Sequence, residues 1–376
     1  MDPLPYDLLK AIVDRVSRRS DQLRIRSSNR DLCTLATPRA FQHIRIRNTL
    51  TSAMRFSEVL RHGYLAKYIE AISFQEFPVI DLGSKEEGRM LDSLAYSFSQ
   101  LHKLPVLRAL SLWFDLQHHL PTAQLQCAIL AAITGQTRPL FLTSLTILHL
   151  APIPDPTYTS PSFQNLVDSL NSLRITIGPN RNRISQFPFR DFWERTMQYQ
   201  VLNPLSSLSQ SLTSLSLQSS EDVGIIPRVD FSQLTLPSLA NLSLEGILFN
   251  EDTQVEDFIV RHKCTLKALH LTECKIAINE EELPPHPWRE IWTRFADELD
   301  ALVELEVVQC VSPYSARAHR VPRYRPRHYT RLDVFMEYHS YRVIHTLIPG
   351  EEGDDEALLE LESLVARRRA FLGMPP

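Results

Sequence analysis

The sequence predicts an α/β repeat solenoid headed by three short helices, and three observations lead there. An apolar L-x-x-L-x-L pattern recurs between residues 69 and 307. Stretches with apolar residues at helical spacing fill the intervals. The first 46 residues carry apolar stripes and helix caps of their own. The expected organisation is a helical module over 1–46, a repeat array over 47–316, and a basic loop with C-terminal capping helices over 317–376.

The module begins Leu4-Pro5, with Pro5 suited to the first turn of a helix, where its missing N–H costs nothing. Leu8, Leu9, Ile12, Val13 and Val16 follow at helical spacing and form one apolar stripe. Ser20-Asp21 is expected to cap a second helix carrying Leu23 and Ile25. Ser28-Asn29 is expected to cap a third, with Leu32 and Leu35 on its buried side. Pro38 is expected to stop that helix, and Phe41, Ile44 and Ile46 lead into an extended segment. Below about 60 residues a domain is marginal, so the module should lean on a partner or on the chain that follows it.

Leu4-Pro5, Leu8-Leu9-x-x-Ile12, Val16, Asp21, Leu23, Leu32, Leu35 and a closing Pro38-x-x-Phe41-x-x-Ile44 occur in that order. With these, residues 4–46 resemble an F-box. Two features depart from the family pattern. Arg15, Arg18, Arg19, Arg24, Arg26 and Arg30 make the module unusually basic, and Cys33-Thr34 stand where F-boxes often place a bulky aromatic. The competing reading is a plain helical cap on the end of a repeat array.

The recurring pattern reads Ile69-x-x-Ile72-x-Phe74, then starts again at Leu107, Leu145, Leu170, Leu212, Leu239, Leu266 and Leu302. Successive starts lie 38, 38, 25, 42, 27, 27 and 36 residues apart. The two 27-residue steps fall in the range of leucine-rich repeats, and the longer ones imply insertions. Cys274 and Cys310 stand where such repeats place Asn or Cys to satisfy backbone groups inside the turn. Helical stripes between the strands include Met90-Leu94-Phe98-Leu101, Leu125-Ile129-Ile133, Phe189-Trp193-Met197 and Trp288-Ile291-Trp292-Phe295-Leu299. The array resembles a horseshoe-like solenoid of irregular leucine-rich repeats.

Together the two likenesses make the chain similar to F-box/leucine-rich-repeat proteins. That resemblance implies a substrate-receptor subunit of a Skp–cullin–F-box E3 ubiquitin ligase. The module would dock a Skp-type adaptor, and through it a cullin, while the repeats hold an unidentified protein target. Ubiquitin transfer would belong to other subunits, leaving this chain non-catalytic. Leu4, Pro5, Leu8, Leu9, Ile12 and Leu32 carry over as the adaptor contact, with core packing as the rival role for Leu9, Ile12 and Leu32. The alternative function is an interaction scaffold with no link to a ligase.

In L-x-x-L-x-L strands the leucines point inward and the residues between them face the concave surface. The central positions are Ser73, Ser111, His149, Arg174, Ser216, Ser243, His270 and Glu306, flanked by Trp113, Gln218, Asn241, Glu245 and Glu304. His149, Arg174, His270, Glu306 and those flanking residues are the expected target-binding set. Trp113 is the candidate anchor, because aromatics often dominate interface energy. The acidic C-terminal end of the face favours a basic target segment.

Beyond the repeats, residues 317–331 alternate arginines with aromatics, as Arg320, Arg323, Tyr324, Arg325 and Arg327 illustrate. A surface loop is the preferred reading of that stretch. The acidic run 351–356 then precedes a final helix with Leu358, Leu361, Val365 and Leu372 as its apolar stripe. Arg367-Arg368-Arg369 near its end complement the helix dipole.

Composition disfavours several classes. With 40 Lys+Arg against 44 Asp+Glu, a formal net charge of −4 gives no global grip on nucleic acid. Only 10 glycines occur beside 25 prolines, and Gly83 to Gly88 has P-loop spacing without the Lys-Ser/Thr that would bind phosphate and magnesium. No cofactor is expected. His262, Cys264, His270 and Cys274 match no usual zinc spacing, and His118-His119 lacks a third ligand. The longest apolar stretch, 125–133, is far below the ~20 residues that span a bilayer. An acidic start with Asp2 and Asp7 and five scattered cysteines suit an intracellular protein, cytoplasmic or nuclear.

Overall fold

The computed structural model describes residues 4–77, 84–115, 120–136, 138–178, 187–208, 210–278, 287–308, 329–333, 338–340 and 353–374. The chain divides into two compact units, Met1–Leu148 with Ser160–Leu166, and His149–Thr159 with Val167–Pro376. Each is an α/β unit built on parallel strands. No helix among the described residues is long and apolar enough to cross a membrane.

The first unit opens with α1 (Tyr6–Arg15), α2 (Arg19–Arg26) and α3 (Arg30–Gln42). There follow β1 (His43–Arg47), α4 (Leu50–Arg61), α5 (Gly63–Ala66), β2 (Ala71–Gln75), α6 (Ser84–Phe98), β3 (Ala109–Trp113), α7 (Leu120–Thr134), β4 (Ser144–Leu150) and α8 (Pro161–Asp168). Strands β1 to β4 pair in parallel, with Ile44, Ile72, Leu110 and Leu145 in one row and Ile46, Phe74, Leu112 and Ile147 in the next. Both rows are buried. Helical stripes cover them: Phe98 of α6 meets Phe74 edge-on at 5.9 Å and Phe56 of α4 at 6.3 Å. Each such ring, fully removed from water, contributes about 1.5–3 kcal/mol.

Asn29 caps α3 as expected, its Oδ1 accepting from Leu32 N at 2.8 Å. Two other expectations fail here. Helix α2 starts before Ser20-Asp21, with Arg18 as its uncapped N-cap, while Gln22 Nε2 donates to Val16 O at 2.8 Å. Pro38 does not end α3, which runs on to Gln42. The ring removes one N–H from the ladder, yet the helix continues and buries Ala40 beyond the proline.

In the third repeat, which forms β4, the frame shifts by three residues. Leu145, not Leu148, aligns with Leu110, and Ile147 aligns with Leu112. The operative pattern is Leu142-x-x-Leu145-x-Ile147, all three side chains being at most 2% exposed. The stretch 142–150 contains two overlapping matches, and packing against β3 selects the earlier one.

The second unit contains β5 (Ser172–Ile177), α9 (Phe187–Asp191), a π-helix (Phe192–Leu202), α10 (Asn203–Leu208), β6 (Ser214–Val223), β7 (Asn241–Phe249), α11 (Val255–Arg261), β8 (Ala268–Thr272) and β9 (Lys275–Ile278). It ends with α12 (Trp288–Glu298), β10 (Glu304–Val308), β11 (Tyr329–Asp333), β12 (Tyr338–Ser340) and α13 (Asp354–Phe371). Parallel pairing runs in the order β5-β6-β7-β8-β10. Strand β7 serves two ladders, its start pairing β8 and its end pairing β9, which pairs β11 in turn. The fork falls at Gly246, whose φ is +67° and where a Cβ would lie 2.5 Å from the Ser219 carbonyl oxygen. Only glycine satisfies both conditions.

Cys274 is buried beside this fork, its Sγ 3.6 Å from the Leu244 carbonyl oxygen, consistent with the backbone-satisfying place given to it by the repeat pattern. Burial pushes its thiol up to about 12. Next to it Lys275 Nζ binds both carboxylate oxygens of Asp222 at 2.9 Å in a nearly solvent-free ion pair. Trp288 stacks on Trp292 at 4.5 Å and meets Phe249 at 4.8 Å, seating α12 on the unit's core. Asp354 accepts from Arg289 N at 2.7 Å and from Tyr329 Oη at 2.6 Å, tying the starts of α12 and α13 to β11. Helix α13 packs on α12 and β10. Its buried stripe is Ala357, Leu361 and Val365; Leu358 is half-buried and Leu372 is exposed, so the expected stripe is corrected at both ends.

Candidate protein-docking surfaces

The first candidate surface is the outer side of α1. Val13 is buried and Leu9 and Val16 are half-buried, so one side of the helix packs inward. Leu4, Leu8 and Ile12 recur every fourth residue and are 55%, 52% and 49% exposed. The single stripe read from the sequence is therefore two rows, one inward and one outward. Pro5 is exposed at the N-cap, where its carbonyl accepts from Leu8 N and Leu9 N. Leu32 of α3 is half-buried. Of the six expected adaptor residues, Leu4, Pro5, Leu8 and Ile12 face solvent, while Leu9 and Leu32 divide between packing and surface.

The arginines of this module have structural work. Arg19 Nε donates to Ala40 O at 3.1 Å, and Arg39 reaches Asp14 O at 2.6 Å. Arg26 donates to Thr37 Oγ1 at 3.0 Å while its guanidinium lies over the Phe41 ring. Burial and Arg45 together lower the Arg19 pKa from its ordinary value, as expected for a cation drawn into a helix junction. These cations tie α1, α2 and α3 to one another.

The second candidate is the strand face of the second unit. Register places Arg174, Ser216, Ser243, His270 and Glu306 in one row across β5, β6, β7, β8 and β10. Gln218 and Glu245 lie in the row on one side, and Asn241 and Glu304 in the row on the other. All project from the side opposite the buried leucines. Arg174 donates to Gln218 Oε1 at 3.2 Å, and Thr176 donates to the same oxygen at 2.7 Å. His270 stands between two glutamates, with Nε2 3.0 Å from Glu304 and Nδ1 3.6 Å from Glu306. Partial burial raises the Glu245 pKa; Arg174 pulls it down and Glu273 pushes it further up.

In the first unit the corresponding central residues are Ser73, Ser111 and Thr146, with Trp113 43% exposed on β3. His149 is the correction. The shifted frame gives the central position to Thr146, and His149 sits at the end of β4 with a φ of +57°. Overlap of two leucine patterns hid this from the sequence.

The possible zinc set does not converge. His262 is buried, Nδ1 donating to Phe258 O at 2.7 Å and Nε2 accepting from Leu236 N at 2.9 Å. Burial lowers its pKa, which fits a neutral ring held by one donated and one accepted bond. Cys264 is exposed, Cys274 is buried beside β7, and His270 lies on the strand face. His118-His119, Cys310, the basic stretch 317–328 and residues 351–352 fall outside the described residues.

One cleft of about 100 Å³ lies where Phe249, Ile276 and Ile291 meet Arg294. Arg294 is held there by Glu256 at 2.7 Å, Asp257 at 2.8 Å and Glu298 at 3.0 Å, so its charge is spent internally. No protein-family model and no curated protein sequence matches this chain.

Proposed function

We propose that this chain is the substrate-receptor subunit of a Skp–cullin–F-box ubiquitin ligase, docking a Skp-type adaptor through α1 and a protein target through its strand faces. The observation that carries the reading is the outward pair Leu8 and Ile12 on α1, continued by Leu4 just ahead of its N-cap, while the opposite side of the helix is already packed. Large apolar side chains repeated on one exposed helix face are suited to burial against a partner. The strand–helix succession and the ordered Leu-Pro, Leu-Leu-x-x-Ile and Pro-x-x-Phe motifs support the same reading. In this function the chain performs no chemistry; transfer of ubiquitin belongs to the other subunits.

A scaffold without a ligase is the second reading, favoured by one contact. Gln42 at the end of α3 accepts from Glu70 N at 2.9 Å, and its side chain donates to Glu70 at 2.8 Å. The module thus runs directly into the sheet, as a cap would. Co-expression with a Skp-type adaptor followed by size-exclusion chromatography separates the two. Co-elution of the wild type, lost in a folded Leu8→Asp/Ile12→Asp variant, supports the ligase receptor. A folded wild type that elutes alone leaves the scaffold.

A further inference from the structure

The strand face of the second unit is polar along its length, with an arginine on its first strand and two glutamates on its last. Arg174 stands on β5, Ser216 and Ser243 follow in register, and Glu304 and Glu306 stand on β10. His270 carries at most one positive charge between two carboxylates, so that end stays acidic in either protonation state. Arg174 gives one N–H to Gln218 and attracts the half-buried Glu245 of β7, and its other N–H groups remain for a partner carboxylate. The two serines leave a shallow floor over which a peptide backbone can pass closely.

We infer that this face takes an extended peptide lying across the strands, with an acidic residue over Arg174 and a basic residue over Glu304 and Glu306. The inference rests on the reading that the strand face receives a protein target, and it names the chemistry of that target. Four inter-strand steps of about 4.8 Å separate β5 from β10, roughly 19 Å in all. An extended chain advances about 3.3 Å per residue, so the two charges sit about six residues apart. Ser216 and Ser243 lie under the uncharged middle.

Fluorescence anisotropy with the full chain at low salt tests this. The probe is a labelled Ser/Thr/Ala peptide carrying one Asp-Glu pair and one Lys-Arg pair six positions apart. It is compared with a peptide of the same composition with the charges adjacent, and with all-basic and all-acidic versions. The spaced peptide binds tightest. Arg174→Glu and Glu304→Lys/Glu306→Lys each weaken it about fivefold, as expected for exposed charge pairs. The combined charge-swapped variant restores binding, because the peptide then lies in the opposite direction. Equal binding of the all-basic peptide, no binding of the spaced peptide, or failure of the swap to rescue overturns the inference. Adaptor co-elution with the same preparation is read separately: if it persists while the peptides are not distinguished, this inference falls and the receptor reading stands.

Discussion

Helices α1 and α12 begin alike and end differently. Each follows a proline at its N-cap, has an acidic residue in its first turn, and lacks a side-chain cap. In α12, Trp288, Ile291, Trp292 and Phe295 are all at most 2% exposed, with Trp288 stacked on Trp292 and set against Phe249. In α1 only Val13 reaches that state, while Leu8 and Ile12 remain about half exposed. One helix spends its apolar side chains on its own unit. The other holds a row in excess of what its fold uses, and that excess is the argument for a partner.

Truncation is the most direct way to break this contrast. Trp292→Ala is expected to cost about 3–5 kcal/mol in denaturant unfolding, the usual loss for a buried aromatic. Leu8→Ala and Ile12→Ala should each stay within about 0.5 kcal/mol, as surface changes do. If Ile12→Ala costs as much as Trp292→Ala, the outward row belongs to the core and the docking surface is lost.

The buried Lys275–Asp222 pair comes next in size. Lys275→Met alone leaves Asp222 charged and unpaired in a dry site and should cost about 3–5 kcal/mol. Adding Asp222→Leu removes the stranded charge and should recover most of that loss. A double variant as unstable as the single one would show that the pair does more than neutralise itself.

Gly246→Ala should cost about 1–2 kcal/mol from left-handed backbone strain alone, with the contact to Ser219 O adding to it. Calorimetry reads it as a lowered midpoint. An unchanged midpoint would mean that the fork in β7 tolerates a different backbone.

His262 gives the smallest effect and a clear sign. Its folded pKa lies below the ordinary value of 6.5, so the unfolded chain takes up the proton first. Its contribution is therefore complete above that value and lost as pH falls through the window between it and the lowered folded pKa. Stability measured from pH 7.5 down to 5 should decline more steeply in wild type than in His262→Gln. Parallel curves would contradict the neutral, doubly bonded ring.

Much of this was legible in the sequence because leucine spacing reports burial directly. Seven of the eight repeat frames need no shift. The third failed because Leu142, Leu145 and Leu148 offer two frames, and pairing with β3 chooses between them. Pro38 failed because local rules set helix ends only where no packing opposes them, and Ala40 is buried beyond the proline; Leu372 failed because α13 ends at Phe371 and leaves it exposed at the C-cap. The two rows of α1 were hidden because periodicity marks apolar faces without saying which of them is covered. The bonds by which Arg19, Arg26 and Arg39 join α1, α2 and α3 left no signal beyond the number of arginines.

The central claim is that the outward row of α1 exists to be covered. Titration of a Skp-type adaptor into the purified chain, paired with an unfolding curve for each variant, tests it most directly. The account predicts saturable binding by wild type, weakened at least about 30-fold by Leu8→Asp/Ile12→Asp, as for a pair of interface hot spots, at nearly unchanged stability. Equal affinity for wild type and the folded variant, or no binding by a folded wild type, would contradict it.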